Sequence, residues 1–181
     1  MNKGYLNAFE KTLGHEGGYN EVKGDAGGAT NFGISLRFLK DAYNFDDFAD
    51  IDNDGDVDKD DIKSMSKADA QEIYYKHFWL KNKCDLILNE NIANKFFDMS
   101  VNMGLGQATK ILQRSLNHFK LFNIIVDGKI GPKTLQAVNQ VHAEQLLHVI
   151  RKQCEAFYIQ LVEQKPEFKK FLKGWTNRAL S

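Results

Sequence analysis

Cysteine and proline are scarce in this sequence of 181 residues, which has two of each. The cysteines, Cys84 and Cys154, lie far apart in the chain and fit no metal-ligand spacing. Their positions allow one long-range disulfide, but two buried free thiols are the expected arrangement, because free cysteine commonly packs as a small hydrophobe. The prolines, Pro132 and Pro166, lie near predicted helix starts, where a missing N–H costs nothing.

The sequence also lacks net charge and long apolar runs. Lysines and arginines together number 24, as do aspartates and glutamates. We therefore expect no nucleic acid as a main partner, since phosphate binding depends on a basic surface. No run of about 18 apolar residues is present, which excludes a membrane-spanning helix. The first residues have no apolar segment of the signal-peptide type, so we expect a protein made without a signal peptide.

Helical periodicity dominates the sequence. Tyr5, Phe9 and Leu13 fall on one helical face, with Asn2 as the N-cap. Residues 19–34 are rich in Gly, Asn and Asp, which predicts a loop or a small hairpin. Further helices are predicted over 35–43, from Ser66 onward, and over 91–102, 105–120, 132–141, 143–163 and 167–173. The expected fold is mostly α with one small β-hairpin after the first helix, and a monomer is expected because no surplus apolar stripe indicates an interface.

Two carboxylates, Glu16 and Asp25, stand among glycines between the first two predicted helices. Cleaving a glycosidic bond requires one carboxyl group that stays protonated and a second group that supplies or positions the nucleophile. Glu16 follows the apolar end of the first helix, where burial would raise its pKa, whereas Asp25 lies on a polar loop, where it would stay ionised. Composition alone favours the plainer interpretation, a solvent-facing Glu16 and a turn-forming Asp25.

The strings EGGYN at residues 16–20 and GDAGGATNFGIS at 24–35 resemble the N-terminal motif of glycoside hydrolase family 108. That family comprises lysozyme-like N-acetylmuramidases of bacteria and phages, some first labelled secretion activator proteins. The segments ADAQEIYYKHFW at 68–79 and FDMSVNMGLG at 97–106 are similar to later helices of the family. The resemblance implies a lysozyme-like helical fold, peptidoglycan as the partner and Glu16 as the catalytic acid.

The implied reaction is hydrolysis of the β-1,4 bond between N-acetylmuramic acid and N-acetylglucosamine, in the cell wall, after phage-type release or non-classical export. Many phage lysozymes carry Glu, then eight residues, then Asp or Cys, then five residues, then Thr. Here eight residues also separate Glu16 from Asp25, but four separate Asp25 from Thr30. By that parallel Glu16 protonates the glycosidic oxygen, while Asp25 and Thr30 hold the attacking water or stabilise the transition state.

Two other functions stay open on the sequence. A lytic transglycosylase also uses one glutamate, but it closes an anhydro ring instead of admitting water and would not need Asp25. A non-catalytic wall-binding module is the other alternative, and the intact Glu16 argues against it.

Residues suited to binding sugars lie in two segments. Tyr19 and Phe32 are aromatic side chains that can stack on sugar rings, and Asn31 is suited to bond an acetamido group. Asp98 and Asn102 are spaced to share one helical face, which the lysozyme-like resemblance places along the substrate cleft. The plainer interpretations are core packing for the aromatics and a solvated pair for Asp98 and Asn102.

An acidic loop over residues 50–61 (DIDNDGDVDKDD) resembles the EF-hand calcium loop. Oxygen ligands fall at the EF-hand positions, Gly55 stands at the sharp turn, and one position contributes its backbone carbonyl. The predicted ligands are Asp50, Asp52, Asp54, Asp56, Asp58 and Asp61. Asp61 stands where the common pattern has a bidentate glutamate, which predicts weaker binding. We expect a structural Ca²⁺, because these carboxylates repel one another unless a cation lies among them, and we expect no cofactor for catalysis.

Residues 126–138 (VDGKIGPKTLQAV) resemble the turn and helix of predicted peptidoglycan-binding domains. Asp-Gly forms a turn and Gly-Pro starts a helix, so local structure alone also explains these residues. We predict a lysozyme-like catalytic region over 1–89, including the EF-hand-like loop, and a helical region over 90–181 that resembles a peptidoglycan-binding domain. No linker separates them, so they are expected to pack as one continuous unit.

Overall fold

The computed structural model describes residues 1–13, 18–20, 28–43 and 49–181. The chain divides into two compact units, Met1–His77 and Phe78–Ser181. Most of the described residues are helical, and the strands among them form one two-stranded antiparallel sheet. The predicted mostly α fold with a small hairpin after the first helix is therefore confirmed. The predicted division at residues 89 and 90 stays a prediction.

The first unit begins with a helix that its N-cap and its apolar face both favour. The elements of this unit are α1 (Lys3–Leu13), β1 (Thr30–Asn31), β2 (Ile34–Ser35), α2 (Leu36–Tyr43), α3 (Lys59–Ser64) and α4 (Lys67–Tyr74). The Asn2 side chain accepts a hydrogen bond from the Tyr5 N–H at 2.8 Å, which satisfies a donor that the helix start leaves unpaired. Tyr5 and Phe9 are fully buried, and the Tyr5 hydroxyl donates to the Gln71 carbonyl of α4. These contacts fix α1 against α4.

The hairpin is short and its turn is sterically specified. β1 and β2 pair in antiparallel register, with Thr30 opposite Ser35. The two residues between them, Phe32 and Gly33, have φ values of 47° and 75°, and positive φ at both central positions is what a type I′ turn requires. A Cβ at Gly33 would lie 2.9 Å from the Tyr74 hydroxyl, so the contact with α4 also demands glycine there.

Side-chain caps define the starts of the next helices. The Ser35 hydroxyl accepts from the Phe38 N–H at 3.2 Å at the start of α2. Ser66 and Asp69 form a capping box at the start of α4, in which each side chain accepts from the other residue's backbone N–H. Both starts agree with the sequence prediction. A π-helical segment, Tyr75–Leu80, follows α4 directly and was not predicted.

The second unit is a set of packed helices. Its α-helices are α5 (Glu90–Met103), α6 (Leu105–His118), α7 (Pro132–Gln140), α8 (Ala143–Gln164) and α9 (Leu172–Leu180). The side chains of Phe96 and Phe97 on α5, Leu112 on α6 and Ile150 on α8 are fully buried. Burial of each such side chain stabilises the fold by roughly 1.5–3 kcal/mol.

The predicted end of the last helix is wrong. Instead of one helix over 167–173, the chain forms a 3₁₀ segment, Pro166–Phe171, followed by α9. Gly174 disfavours helix by about 1 kcal/mol relative to alanine. Packing outweighs that cost, because Trp175 on α9 stacks on Tyr158 of α8, with ring centroids 5.2 Å apart and an interplanar angle of 28°.

Both cysteines are buried free thiols, which confirms the expectation of unpaired cysteines. Burial raises the pKa of the Cys154 thiol to about 12, although the nearby Lys95 ammonium acts in the opposite direction. The Cys84 thiol is likewise held protonated, since burial raises its pKa well above the ordinary value. Of the helices that the structure describes, none is both long enough and apolar enough to cross a membrane.

Candidate functional site

Of the predicted catalytic residues, only Thr30 lies within the described part of the chain; Glu16 and Asp25 lie outside it. The backbone of Thr30 is held by two hydrogen bonds with Asn20, each 2.8 Å long, as well as by its place in the hairpin. Its hydroxyl donates to the Asn20 carbonyl over a long 3.3 Å. Thr30 therefore has a fixed backbone and a weakly held hydroxyl, which can turn toward another acceptor at little cost.

The predicted sugar-binding residues of the first unit differ in exposure. Tyr19 is 38% exposed, whereas Asn31 is only 6% exposed. The Asn31 amide nitrogen donates to the Ile62 carbonyl at 2.9 Å, which ties the hairpin to α3. Its amide oxygen is buried and has no hydrogen-bond partner among the described residues. Phe32 is half-buried at the hairpin turn, and its carbonyl accepts from the Tyr74 hydroxyl. The roles of these residues with substrate stay predictions.

The acidic loop brings its carboxylates together in two groups. Within each group the nearest oxygens all lie within 4.8 Å of one another. The groups are Asp50, Asp52 and Asp54, and Asp56, Asp58 and Asp61. The Asp50 carboxylate also accepts from the backbone N–H groups of Asp54 and Gly55, at 3.1 and 3.0 Å, so the first half of the loop wraps around it. Gly55 has a φ of 101°, the conformation that the sharp turn of an EF-hand loop needs.

The second half of the loop doubles as the start of α3. Asp58 is the N-cap and forms a capping box with Asp61. Asp61 is 1% exposed, and its carboxylate also accepts from the backbone N–H of Ile51 at 2.6 Å. The side chain at the last position of the loop therefore closes the loop onto its own beginning through backbone donors.

The pKa is raised for two of the loop carboxylates, Asp52 and Asp56. For Asp56 the main cause is the neighbouring Asp54 carboxylate. For Asp52 the main cause is partial desolvation, followed by the charges of Asp54 and Asp61. An ionised carboxylate retains about four acceptor sites, so the hydrogen bonds within the loop leave lone pairs for a metal. Carboxylate oxygens grouped in this way are of the kind that a hard cation such as Ca²⁺ prefers as ligands.

The second unit brings Asp98 and Asn102 together on α5, as their spacing predicts. The Asn102 amide nitrogen donates to the Asp98 carboxylate at 3.1 Å. Arg178, on α9, joins both residues: its Nε donates to Asp98 at 3.1 Å and its Nη1 to the Asn102 amide oxygen at 2.7 Å. Lys95 completes the group, with its ammonium 4.0 Å from Asp98 and 2.6 Å from the Arg178 carbonyl.

Burial and attraction compete at this cluster. Desolvation raises the pKa of Asp98, while the Arg178 and Lys95 charges and the hydrogen bonds from Arg178 and Asn102 act to lower it. Desolvation also lowers the pKa of Lys95, which is 7% exposed. Arg178 was not predicted as part of this cluster, since nothing in the local sequence pattern pairs it with residues so far back in the chain. Substrate binding by Asp98 and Asn102 stays a prediction.

The Asp-Gly turn before α7 is held by a buried glutamine, a role that was likewise not predicted from the sequence. Gln113 is 1% exposed, and its amide nitrogen donates to the Asp127 carboxylate at 2.8 Å and the Lys129 carbonyl at 3.1 Å. Its amide oxygen accepts from the Gly128 N–H at 3.0 Å. The hydrogen bond from Gln113 is the main cause of the lowered pKa of Asp127. These hydrogen bonds give Asp127 and Gly128 a structural role in the turn, without any ligand.

Two protein-family models match this chain, one in its N-terminal part and one in its C-terminal part. The family model described as Glycosyl hydrolase 108 matches residues 9–104, more than half of the chain. The chain belongs to glycosyl hydrolase family 108. A second model, described as Predicted Peptidoglycan domain, matches residues 107–180. The resemblance noted in the sequence is thereby confirmed for both parts of this family 108 chain.

A solved structure supports the same placement. The chain is similar to the protein in "Structure of Brucella abortus SagA", with 28% sequence identity and a TM-score of 0.71. The similarity covers 97% of this chain and 88% of that chain. No curated protein matches the chain. A family 108 hydrolase region followed by a peptidoglycan domain supports a lysozyme-like role in peptidoglycan hydrolysis, with peptidoglycan as the partner.

Proposed function

We propose that this chain is an N-acetylmuramidase that hydrolyses the β-1,4 bond between N-acetylmuramic acid and N-acetylglucosamine, with Glu16 as the general acid. The observation that carries the proposal is the pair of family matches, which together span residues 9–104 and 107–180. The first of these regions contains Glu16, Asp25 and Thr30. Hydrolysis and wall recognition thus lie in one chain.

The position of Glu16 after α1 suits a general acid. α1 ends at Leu13, and its last turn is buried at Thr12 and Leu13. The C-terminal end of a helix carries a partial negative charge, which disfavours ionisation of a nearby carboxyl group. We propose that Glu16, which follows Leu13 by three residues in the sequence, stays protonated at neutral pH, as proton transfer to the glycosidic oxygen requires.

Asp25 and Thr30 would complete the reaction. As the glycosidic bond breaks, positive charge develops on the sugar ring, and an ionised Asp25 would stabilise that charge or take a proton from water. The Thr30 hydroxyl, weakly held over 3.3 Å, would orient the same water. The oxygen of the leaving sugar takes the proton of Glu16. The water adds its hydroxide to the anomeric carbon of the other sugar, and its remaining proton returns to the enzyme.

The decisive experiment is mass spectrometry of purified peptidoglycan digested by the wild type and by Glu16→Gln. Fragments with reducing N-acetylmuramic acid ends, absent with the variant, are expected. Glu10→Gln is the matched control, because Glu10 lies on the exposed side of α1 and pairs with Lys67 at 2.7 Å. Anhydro ends would identify a lytic transglycosylase. Intact wall in every digest would leave a non-catalytic wall-binding module, and full activity in Glu16→Gln would refute Glu16 as the acid.

We also propose that the acidic loop binds a structural Ca²⁺ through the six aspartates of the predicted set. Support comes from the two carboxylate groups, each with oxygens within 4.8 Å, and from the repulsion that raises the pKa of Asp56. A cation would remove this repulsion and lock the loop that precedes α3. Because Asp61 has a shorter reach than glutamate, the affinity is expected at the weaker end of EF-hand values.

Calcium binding is tested by isothermal titration calorimetry and by thermal unfolding with and without a chelator. The wild type should bind calcium and lose thermal stability on chelation, because a ligand that binds only the folded state stabilises it. Asp54→Ala should lose most of its affinity. Asp41→Ala, which removes an exposed carboxylate of α2, is the control and should behave as the wild type. No binding heat and no change on chelation would refute the calcium site.

A further inference from the structure

The C-terminal segment carries an aromatic stack that is not enclosed by the core. Tyr158 is 6% exposed, Trp175 is half-buried and Phe171 is 44% exposed. Trp175 stacks on both of the others: its ring centroid lies 5.2 Å from Tyr158 and 5.5 Å from Phe171, with interplanar angles of 28° and 27°. The stack thus runs from a buried ring to an exposed one.

A hollow lies beside this stack. Its volume is about 400 Å³, within the range of small-ligand sites. It is lined by Lys170, Phe171, Gly174, Trp175 and Arg178. A Cβ built on Gly174 would meet no atom within 4 Å, so the helix surface between the two aromatic residues is open. Glycine is a poor helix former, and its presence within α9 leaves room for a ligand close to the backbone.

The charge of this segment is one-sided, although the whole chain has a net charge of zero. Residues 165–178 contain five basic residues and one acidic residue. Two of the basic side chains line the hollow. The Lys170 ammonium lies 4.9 Å from the centre of the Phe171 ring, and the Arg178 guanidinium is held in place by Asp98 and Asn102. The charge of Arg178 is paired with Asp98, so the hollow joins an aromatic surface to the positive charge of Lys170.

We propose that this hollow, lined by Lys170, Phe171, Gly174, Trp175 and Arg178, binds an anionic segment of the peptidoglycan strand. An N-acetylated sugar packs on the exposed Phe171 ring, and a stem-peptide carboxylate pairs with Lys170. This inference rests on the proposed function and names a binding subsite for it outside the hydrolase match. Apolar sugar faces pack on aromatic rings, and carboxylates form strong hydrogen bonds with cationic side chains. The surface therefore matches both the sugars and the stem peptides of the polymer.

The charge argument separates peptidoglycan from two other occupants. Chitin offers N-acetylated sugars without carboxylates, so it can use the rings but not Lys170. A second copy of this chain would bury the rings in a dimer, but each copy would bring its own excess of positive charge to the contact. Peptidoglycan alone among these three satisfies the rings and the cations together.

The test is co-sedimentation of the full chain with purified sacculi, with binding measured against sacculus concentration. In Phe171→Ala the half-saturating concentration should rise about tenfold, as expected for loss of an aromatic anchor. Gly174→Met fills the hollow without a backbone clash and favours the helix, so it should weaken binding as much while its melting temperature does not fall. Lys170→Gln should weaken binding about threefold and reduce its dependence on salt.

The controls are matched in residue type and lie in the same unit. Leu88→Ala removes an apolar side chain that is 82% exposed, and Lys81→Gln removes an exposed lysine far from the hollow in sequence. Both should bind sacculi as the wild type does. Mutant curves that coincide with the wild-type curve, in well-folded protein, would overturn the subsite.

Further outcomes separate this inference from the proposed function. Equal binding to chitin and to sacculi, or dimerisation that Phe171→Ala abolishes without affecting sacculus binding, would overturn the peptidoglycan assignment of the hollow alone. If the wild type cuts the wall and the Phe171→Ala, Gly174→Met and Lys170→Gln variants bind it fully, the subsite fails while the muramidase proposal stands. A wild type that neither binds nor cuts sacculi overturns both.

Discussion

Each unit contains an aspartate with a raised pKa, but the main cause of the shift differs between the two units. In the first unit, the acidic loop over 50–61 places carboxylates beside one another, and like charge is the main cause of the raised pKa of Asp56. In the second unit, Asp98 also has a raised pKa, but burial is the cause and the charges of Arg178 and Lys95 oppose it. The same direction of shift thus has two origins.

This difference indicates where each unit must find its positive charge. The Asp98 cluster contains its own cations, since Arg178 and Lys95 lie at 3.1 and 4.0 Å from the carboxylate. In the acidic loop, backbone N–H groups, which carry no full charge, donate to Asp50 and Asp61, and Lys63 pairs with Asp60 at 2.6 Å. That a cation from solution balances the remaining carboxylates of the loop stays a proposal.

Asp127 adds a third case, in which neutral donors satisfy a carboxylate, and it gives the largest expected effect. Gln113→Ala would remove the amide that donates to Asp127 and to the Lys129 carbonyl, and that accepts from Gly128. Truncating the buried Gln113 side chain removes three hydrogen bonds at once, so the free energy of unfolding should fall by about 3 kcal/mol. Urea denaturation would measure it.

The control for this prediction is Gln136→Ala, which truncates an exposed glutamine of α7 and should change stability by less than about 0.5 kcal/mol. Equal stability of the two variants would contradict the structural role of Gln113. It would also indicate that the Asp-Gly turn is held mainly by its own backbone.

The Asp98 cluster should show a smaller effect that separates hydrogen bonding from charge. Asp98→Ala should cost about 2 kcal/mol, because Arg178 and Asn102 lose an acceptor. Asp98→Asn keeps an acceptor and should cost less than about 1 kcal/mol, since the raised pKa means that burial makes the charge itself unfavourable in the fold. Asp85→Ala, at an exposed site, is the stability control.

The difference in stability between the wild type and Asp98→Asn should change with pH in a definite direction. A carboxyl group whose pKa is raised in the folded state favours folding below its ordinary pKa of 3.8, and this contribution is lost as pH rises through the raised value. Stability of the wild type relative to Asp98→Asn should therefore decrease from pH 4 to pH 7. An increase over that range would show that Arg178 and Lys95 outweigh desolvation.

Removal of a loop carboxylate should give the smallest effect, with the opposite sign. In calcium-free protein, Asp56→Asn should slightly raise the melting temperature, because it removes repulsion with Asp54. With calcium present, the ranking of the two proteins should reverse if the charge of Asp56 helps to hold the cation. A lower melting temperature in calcium-free Asp56→Asn would show that repulsion does not govern the loop.

The parts of the fold that could be predicted are those that depend on residues close together in the sequence. The Asn2 cap, the Ser35 start of α2 and the capping box at Ser66 each depend on side chains within three positions of the backbone they bind. The family motif likewise predicted the hydrolase region from short continuous segments of the sequence. Such signals are local, so a single sequence suffices to interpret them.

The parts that could not be predicted depend on contacts between distant residues. Arg178 binds Asp98 from 80 residues away, and no pattern near either residue indicates the other. Gln113 has the sequence context of an ordinary polar helix position, although it is buried and holds a turn. The continuation of α9 through Gly174 depends on the stacking of Trp175 on Tyr158, which local propensity does not contain.

The bond between Arg178 and Asp98 also bears on how the protein is made. During translation Asp98 is synthesised 80 residues before its partner. At synthesis rates of roughly 5–20 residues per second, the interval is roughly 4–16 s. Through that time Lys95 and Asp98 lack the helix that covers them, while the first unit has already been synthesised in full. The second unit is therefore expected to depend more on chaperones than the first while the chain is still on the ribosome.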